Sequence, residues 1–195
     1  MKLHMVDSSQ FNELDLTCRY FALADAYMSA AVVLLEQMNK GNWPSSYPNV
    51  CAFQWNFHQA TELFYKGAIF HKTGAAPENT HSIPALKSKY GELYPKAEQQ
   101  LIEPFGLEPP PEVSTEERNN LLRASCSEQE RLKYPADVSG KRFEHREDID
   151  PQAIEALLLH CQKQMRSILH SLGIEFQKDN MPHYRSDSGQ PERGA

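Results

Sequence analysis

Apolar residues recur at helical spacing along most of the chain. The densest stretch is FQWNFHQATELFYKGAIFH, Phe53 to His71, where Phe53, Phe57, Ala60, Phe64 and Ala68 form a broad stripe with Leu63 and Phe70 beside it. That spacing places these side chains on one face of a helix. No proline interrupts the run, but Gly67 lies inside it. A glycine there costs about 1 kcal/mol relative to alanine, so its presence points to a neighbouring helix in close approach. The stretch reads as the central helix of an all-α bundle and stops near Thr73-Gly74.

Upstream, Phe11, Leu14, Cys18, Phe21, Met28, Val32 and Leu35 repeat with heptad-like spacing, and Tyr20, Ala24, Tyr27, Ala31, Leu34 and Met38 make a second seam. Two adjacent seams predict one helix buried on a wide face, capped by Ser8 or Ser9 and ended by Gly41. Asp25 interrupts the first seam. It is either half-exposed or paired with a basic residue from another helix, and the first reading is favoured because an unpaired buried carboxylate is costly. Gly41 to Asn49, with Trp43-Pro44 and Tyr47-Pro48, reads as a loop.

Beyond the central helix, Ser82 is a cap for a short helix over Ile83 to Tyr90, with Pro84 tolerated in its first turn. A second short helix is predicted to begin after Tyr94-Pro95 and to run to Glu103. Pro104 to Val113 holds four prolines and reads as an extended connector. Ser114 and Glu117 form a capping box for a helix carrying Leu121, Leu122 and Leu132, which Pro135 stops. After a loop over Ala136 to Ile149, Asp150-Pro151 opens the last helix, with Ile154, Leu157, Leu158, Cys161, Met165, Ile168 and Leu172 as its stripe and Gly173 as its end. The expected organisation is a short leader over 1–9, one bundle over 10–176, and a polar, disordered tail over 177–195. The fold class is an antiparallel bundle of four to five long helices plus short ones. There is no internal repeat and no alternation long enough to build a sheet.

Composition narrows the function. A chain of 195 residues suggests one domain, and a net charge of −6 argues against a globally basic nucleic-acid binder while leaving room for a local basic patch. The four cysteines, Cys18, Cys51, Cys126 and Cys161, include no CxxC pair and read as core thiols in a reducing compartment. The longest apolar run, Ala30 to Leu35, is too short to span a bilayer, and no signal-peptide pattern opens the chain. A soluble cytoplasmic protein is expected, with no membrane partner.

The run His58-Gln59-Ala60-Thr61-Glu62-Leu63-Phe64-Tyr65-Lys66-Gly67-Ala68, followed by a glycine loop and by His81-Ser82-Ile83 with Leu86, resembles the HEPN superfamily. Its second helix commonly reads Gln-Ala-x-Glu-x-x-x-Lys-Ala, and a His-x-Leu-x-x-Leu segment commonly follows. Ile83 stands for the first leucine. Lys133-Tyr134-Pro135 is similar to an Arg-Tyr-Pro found in some members. The resemblance covers roughly residues 10 to 175. It implies a small helical bundle acting as a homodimer, often a ribonuclease of toxin–antitoxin or phage-defence systems, otherwise a binder of nucleotides or the partner of a nucleotidyltransferase or antitoxin. The ribonuclease members carry an arginine followed by four to six residues and a histidine near the last long helix.

This chain departs from that arrangement. Arg142 and His145 are separated by two residues, and Arg166 and His170 by three. Arg166 and His170 share a helical face but read as basic residues in a last turn, favoured by the helix dipole. The best basic cluster is Lys133, Lys141, Arg142, His145 and Arg146, with Phe143 available to stack on a base. Asp137 and Glu144 temper its charge, and a solvated loop is the alternative. Glu62 and Lys66 are spaced i,i+4 as a salt pair; by the resemblance they order the region near His81, itself a helix-start residue or a ligand contact. His58 and Glu62 share a face without further ligands, and His160 reads as a histidine of the core. There is no HExxH, GxSxG or phosphate-binding glycine loop, so no metal or cofactor is expected.

Three readings follow. The first is a non-catalytic HEPN-like module that binds RNA, a nucleotide or a partner protein as a dimer, through Lys66, His81, Lys133, Tyr134, Lys141, Arg142, Phe143, His145 and Arg146. The second is a divergent, metal-independent ribonuclease using Arg142, His145 and Arg146. The third is a pure oligomerisation scaffold.

Overall fold

The structure, a computed structural model, describes residues 9–76, 80–96, 99–101, 151–176 and 182–184. Helices dominate them: α1 Ser9–Glu13, α2 Leu16–Asn39, α3 Tyr47–Thr73, α4 Ile83–Leu93 and α5 Pro151–Ser171. A two-stranded antiparallel hairpin follows, β1 Ile174–Phe176 and β2 Pro182–Tyr184, with Glu175 opposite His183. The all-α expectation holds in this coarse sense, with three long helices described. The helix expected over Ser114 to Tyr134 lies outside the described residues, as do Cys126 and the basic loop before α5.

Local chemistry sets the boundaries. The first predicted helix is in fact two, because the Asp15 side chain accepts the Cys18 N–H at 3.1 Å and caps α2. An acceptor at that place satisfies an amide no earlier turn can reach. Gly41 leaves α2 with φ 71°, and Gly74 ends α3 with φ 68°; both are left-handed conformations that favour glycine. Helix α3 begins earlier than expected, at Tyr47, since Pro48 in a first turn donates no hydrogen bond the helix needs. Ser82 caps α4 through Ala85 N. The short helix expected after Pro95 shows, in its described part, a turn in which Gln99 N donates to Lys96 O.

Helix α2 packs most extensively against α3 and also against α5. The core between them holds Phe21, Met28, Leu35, Phe53, Phe64, Tyr65, Leu158 and Ile168. Gly67 sits at the α2–α3 crossing, where an added Cβ would lie 2.9 Å from both Tyr20 Cβ and Phe21 Cε1. The close approach that this glycine signalled is therefore real. Tyr90 and Tyr94 of the α4 end stack with ring centroids 4.9 Å apart, and Tyr94 donates to Ala68 O at 2.9 Å, clamping α4 onto α3. Cys18, Cys51 and Cys161 are buried free thiols.

Three readings need correction. Within the span assigned to a disordered tail, Pro182–Tyr184 pair with β1; three-residue strands are too short to show an alternation. His160 is exposed rather than in the core. Leu157 is also largely exposed, and Leu169 occupies the buried face instead. Helix α2 is long and apolar enough to cross a membrane by length and composition, and half of that stretch is buried in the bundle.

Candidate functional site

Two polar clusters interrupt the apolar interior. The first grows from Glu62, a carboxylate buried on α3. One helical turn later on the same face, Lys66 places Nζ 2.8 Å from Glu62 Oε1. From the segment that leads into α4, His81 brings Nδ1 to 2.9 Å from the same oxygen. Ser82, next in the chain, is tied down as the cap of α4, so the helix start fixes where the imidazole lies. Burial pushes the Glu62 carboxyl up, but the hydrogen bonds and charges of Lys66 and His81 outweigh it and hold the group below the usual carboxylate range.

The chemistry of this cluster follows from its charges. An ionised carboxylate only accepts, so Nδ1 of His81 carries the proton and donates. Lys66 is nearly enclosed, whereas the His81 side chain is 62% exposed. The ammonium neutralises the buried carboxylate, and the oriented imidazole is the part offered to solvent. Further back on the same face of α3, Trp55 and His58 stack with rings 11° apart, and both are partly buried. An oriented imidazole suits contact with a phosphate or a base edge, and a flat aromatic pair suits stacking on a base.

The second cluster joins α2 to α5. Asp25 is buried, and Arg166 grips it with Nε at 2.8 Å and Nη2 at 3.0 Å. This overturns the reading of Asp25 as half-exposed and of Arg166 as a last-turn cation. The hydrogen bond to Asp25 raises the arginine pKa further above its ordinary value. Gln162 donates to Ser29 Oγ at 3.2 Å one turn away, and Asn39 donates to Glu155 near the end of α2. The Arg166 guanidinium also lies 5.6 Å from the Phe176 ring. His170 has its own partner, with Nε2 3.2 Å from Glu175 Oε1. Arg166 and His170 thus belong to separate contacts and do not form a working pair. A cavity of about 10 Å³ lies beside Asp25 and Arg166, lined also by Phe21, Met28, Phe64 and Met165. That is room for about one water molecule.

No family model, curated protein or solved structure matches this chain. What it does is therefore read from its own residues.

Of the nine site residues proposed from sequence, Lys66 and His81 are described, and the structure brings them together on one carboxylate. Lys133, Tyr134, Lys141, Arg142, Phe143, His145 and Arg146 lie outside the described residues. The pair that sequence reading missed is Asp25 with Arg166. Its signal was present: an acid inside an apolar seam requires a base from elsewhere, and Arg166 directly follows Met165, a buried residue of α5. Among the described residues, no group of three His, Cys, Asp or Glu side chains could hold a metal ion.

Proposed function

We propose that this chain is a HEPN-like helical module that binds RNA or a nucleotide as a dimer without cutting it. The observation that carries the reading is the convergence of Lys66 and His81 on Glu62. These are among the residues on which the resemblance rests, and a loop separates His81 from the other two in sequence. Their meeting gives a physical reason for a Glu-x-x-x-Lys run and a following His-Ser-Ile segment to occur together: Lys66 balances the Glu62 charge and His81 hydrogen-bonds the same carboxylate oxygen. The arrangement leaves an oriented imidazole at the surface, suited to a phosphate oxygen or a base edge. Arg142, His145 and Arg146 supply the cationic groups in this reading, and the absent Arg-x4-6-His spacing argues against catalysis.

The test uses labelled single-stranded and hairpin RNA, and radiolabelled ATP and GTP, with the purified full chain. Retention without cleavage, lost in Arg142→Ala/Arg146→Ala, supports the module. Cleavage abolished by His145→Ala would instead establish a divergent ribonuclease. Neither retention nor cleavage would leave the scaffold reading.

A further inference from the structure

Among the described residues, helix α2 carries a further seam whose large apolar side chains stay exposed. Leu16, Arg19, Leu23, Ala26, Ala30, Val33 and Gln37 alternate in steps of three and four, the spacing of a coiled-coil stripe. Leu16 is 43% exposed, Leu23 41% and Val33 53%. Ala26 is exposed as well, and Ala30 half-buried. From Tyr20 to Leu35 the only charged residue is Asp25, which is buried against Arg166 of α5. The outer face of α2 therefore presents no charge over that length. A helix lacking a polar face is normally covered on every side.

The order of residues in the seam says what covers it. Read from either end, its centre runs large, small, small, large: Leu23, Ala26, Ala30, Val33. A two-fold axis requires this kind of self-complementarity, because residue i meets j and j meets i. Set two copies of α2 antiparallel about the level of Met28. Leu23 then meets Val33 of the other copy, and Ala26 meets Ala30, where small side chains let the backbones come close. The same register brings Arg19 to the level of Gln37 and next to Glu36 of the other copy. Arg19 and Glu36 are the charged residues that bracket the uncharged stretch, and they have opposite signs. The Arg19 guanidinium spends N–H groups on Leu14 O and Asn12 O, which holds it at the end of the seam.

We propose that a second copy of this chain docks on this face, with α2 against α2 in an antiparallel, two-fold pair centred at Met28. The proposal gives a surface to the dimer of the functional reading but is argued from α2 alone.

The test is a charge swap across the pair, read by sedimentation equilibrium of the full chain over a dilution series. Both positions are exposed, so helicity by circular dichroism stays at the wild-type level. Leu23→Lys and Val33→Glu each set a charge against an apolar side chain of the other copy and weaken the dimer by about 100-fold or more. The double variant sets ammonium against carboxylate at both ends of the pair and recovers the dimer. A monomeric wild type overturns the proposal, as does a dimer indifferent to the single changes or one that the double change fails to restore. A monomer that floats with phosphatidylcholine–phosphatidylglycerol vesicles and stops floating in Leu23→Lys assigns the face to a membrane and also overturns it. RNA retention measured on the same samples separates the two ideas. Retention by a monomer removes this interface alone, and a dimer without retention removes the functional reading alone.

Discussion

Arg166 and Asp25 form a two-pronged ion pair across the α2–α5 interface, with contacts of 2.8 and 3.0 Å. The carboxylate is buried while the arginine side chain is 45% exposed. Breaking a fully buried pair from one side costs about 3–5 kcal/mol. Solvent at the arginine screens part of that, so Arg166→Ala is expected to lose about 1–3 kcal/mol in urea unfolding. Asp25→Leu/Arg166→Met removes both charges and should regain most of the loss. A single variant as stable as wild type would show that the pair contributes nothing to holding α5 on α2.

Gly67→Ala tests the α2–α3 approach. Alanine gains about 1 kcal/mol in helix propensity, yet its Cβ would meet the Tyr20 Cβ, which is anchored to backbone and cannot swing away. Overpacking of this kind costs about 1–3 kcal/mol, and the larger end is expected here. The unfolding midpoint should fall. A rise would mean the two helices sit further apart.

Glu62 governs an acid-sensitive part of the stability. Its folded pKa is below the ordinary 4.5, so the native state favours the ionised form. The stabilisation is fully present above the ordinary value and is lost as pH falls through the lower, folded one. Glu62→Gln should cost about 1–3 kcal/mol near neutral pH, and the gap to wild type should narrow as acid is added. A gap that stays constant with pH would contradict an ionised Glu62.

Cys18 should be inert in the folded chain. Burial, with the charge and hydrogen bond of Asp15 added, pushes its thiol up to about 12, which leaves almost no thiolate at mildly alkaline pH. Iodoacetamide should therefore label it only after unfolding. Asp15→Ala removes the cap of α2 and is expected to cost about 1 kcal/mol. Rapid native labelling would show that the start of α2 opens readily.

The sequence announced those parts of the fold that depend on periodicity and on single residues. The stripe of α3, the glycine at its crossing and the serine cap of α4 were all legible. The break between α1 and α2 was not, because apolar spacing runs straight through Asp15 and only its hydrogen bond to Cys18 N marks the new helix start. The hairpin after Gly173 was hidden because three residues carry no period. In the candidate site, Glu62 and Lys66 could be paired from spacing alone, whereas the distance from His81 to Glu62 depends on how α4 packs against α3. Asp25 was misjudged for a related reason: burial cost is visible in sequence, but the partner that offsets it stands far along the chain.

The most direct test of the proposed function is photo-crosslinking of 4-thiouridine RNA to the full chain, with the adducts mapped by mass spectrometry. Adducts on the peptide containing His81 and on those containing Tyr134 or Phe143 are the predicted result. An absence of adducts, or adducts confined to peptides remote from both, would contradict it.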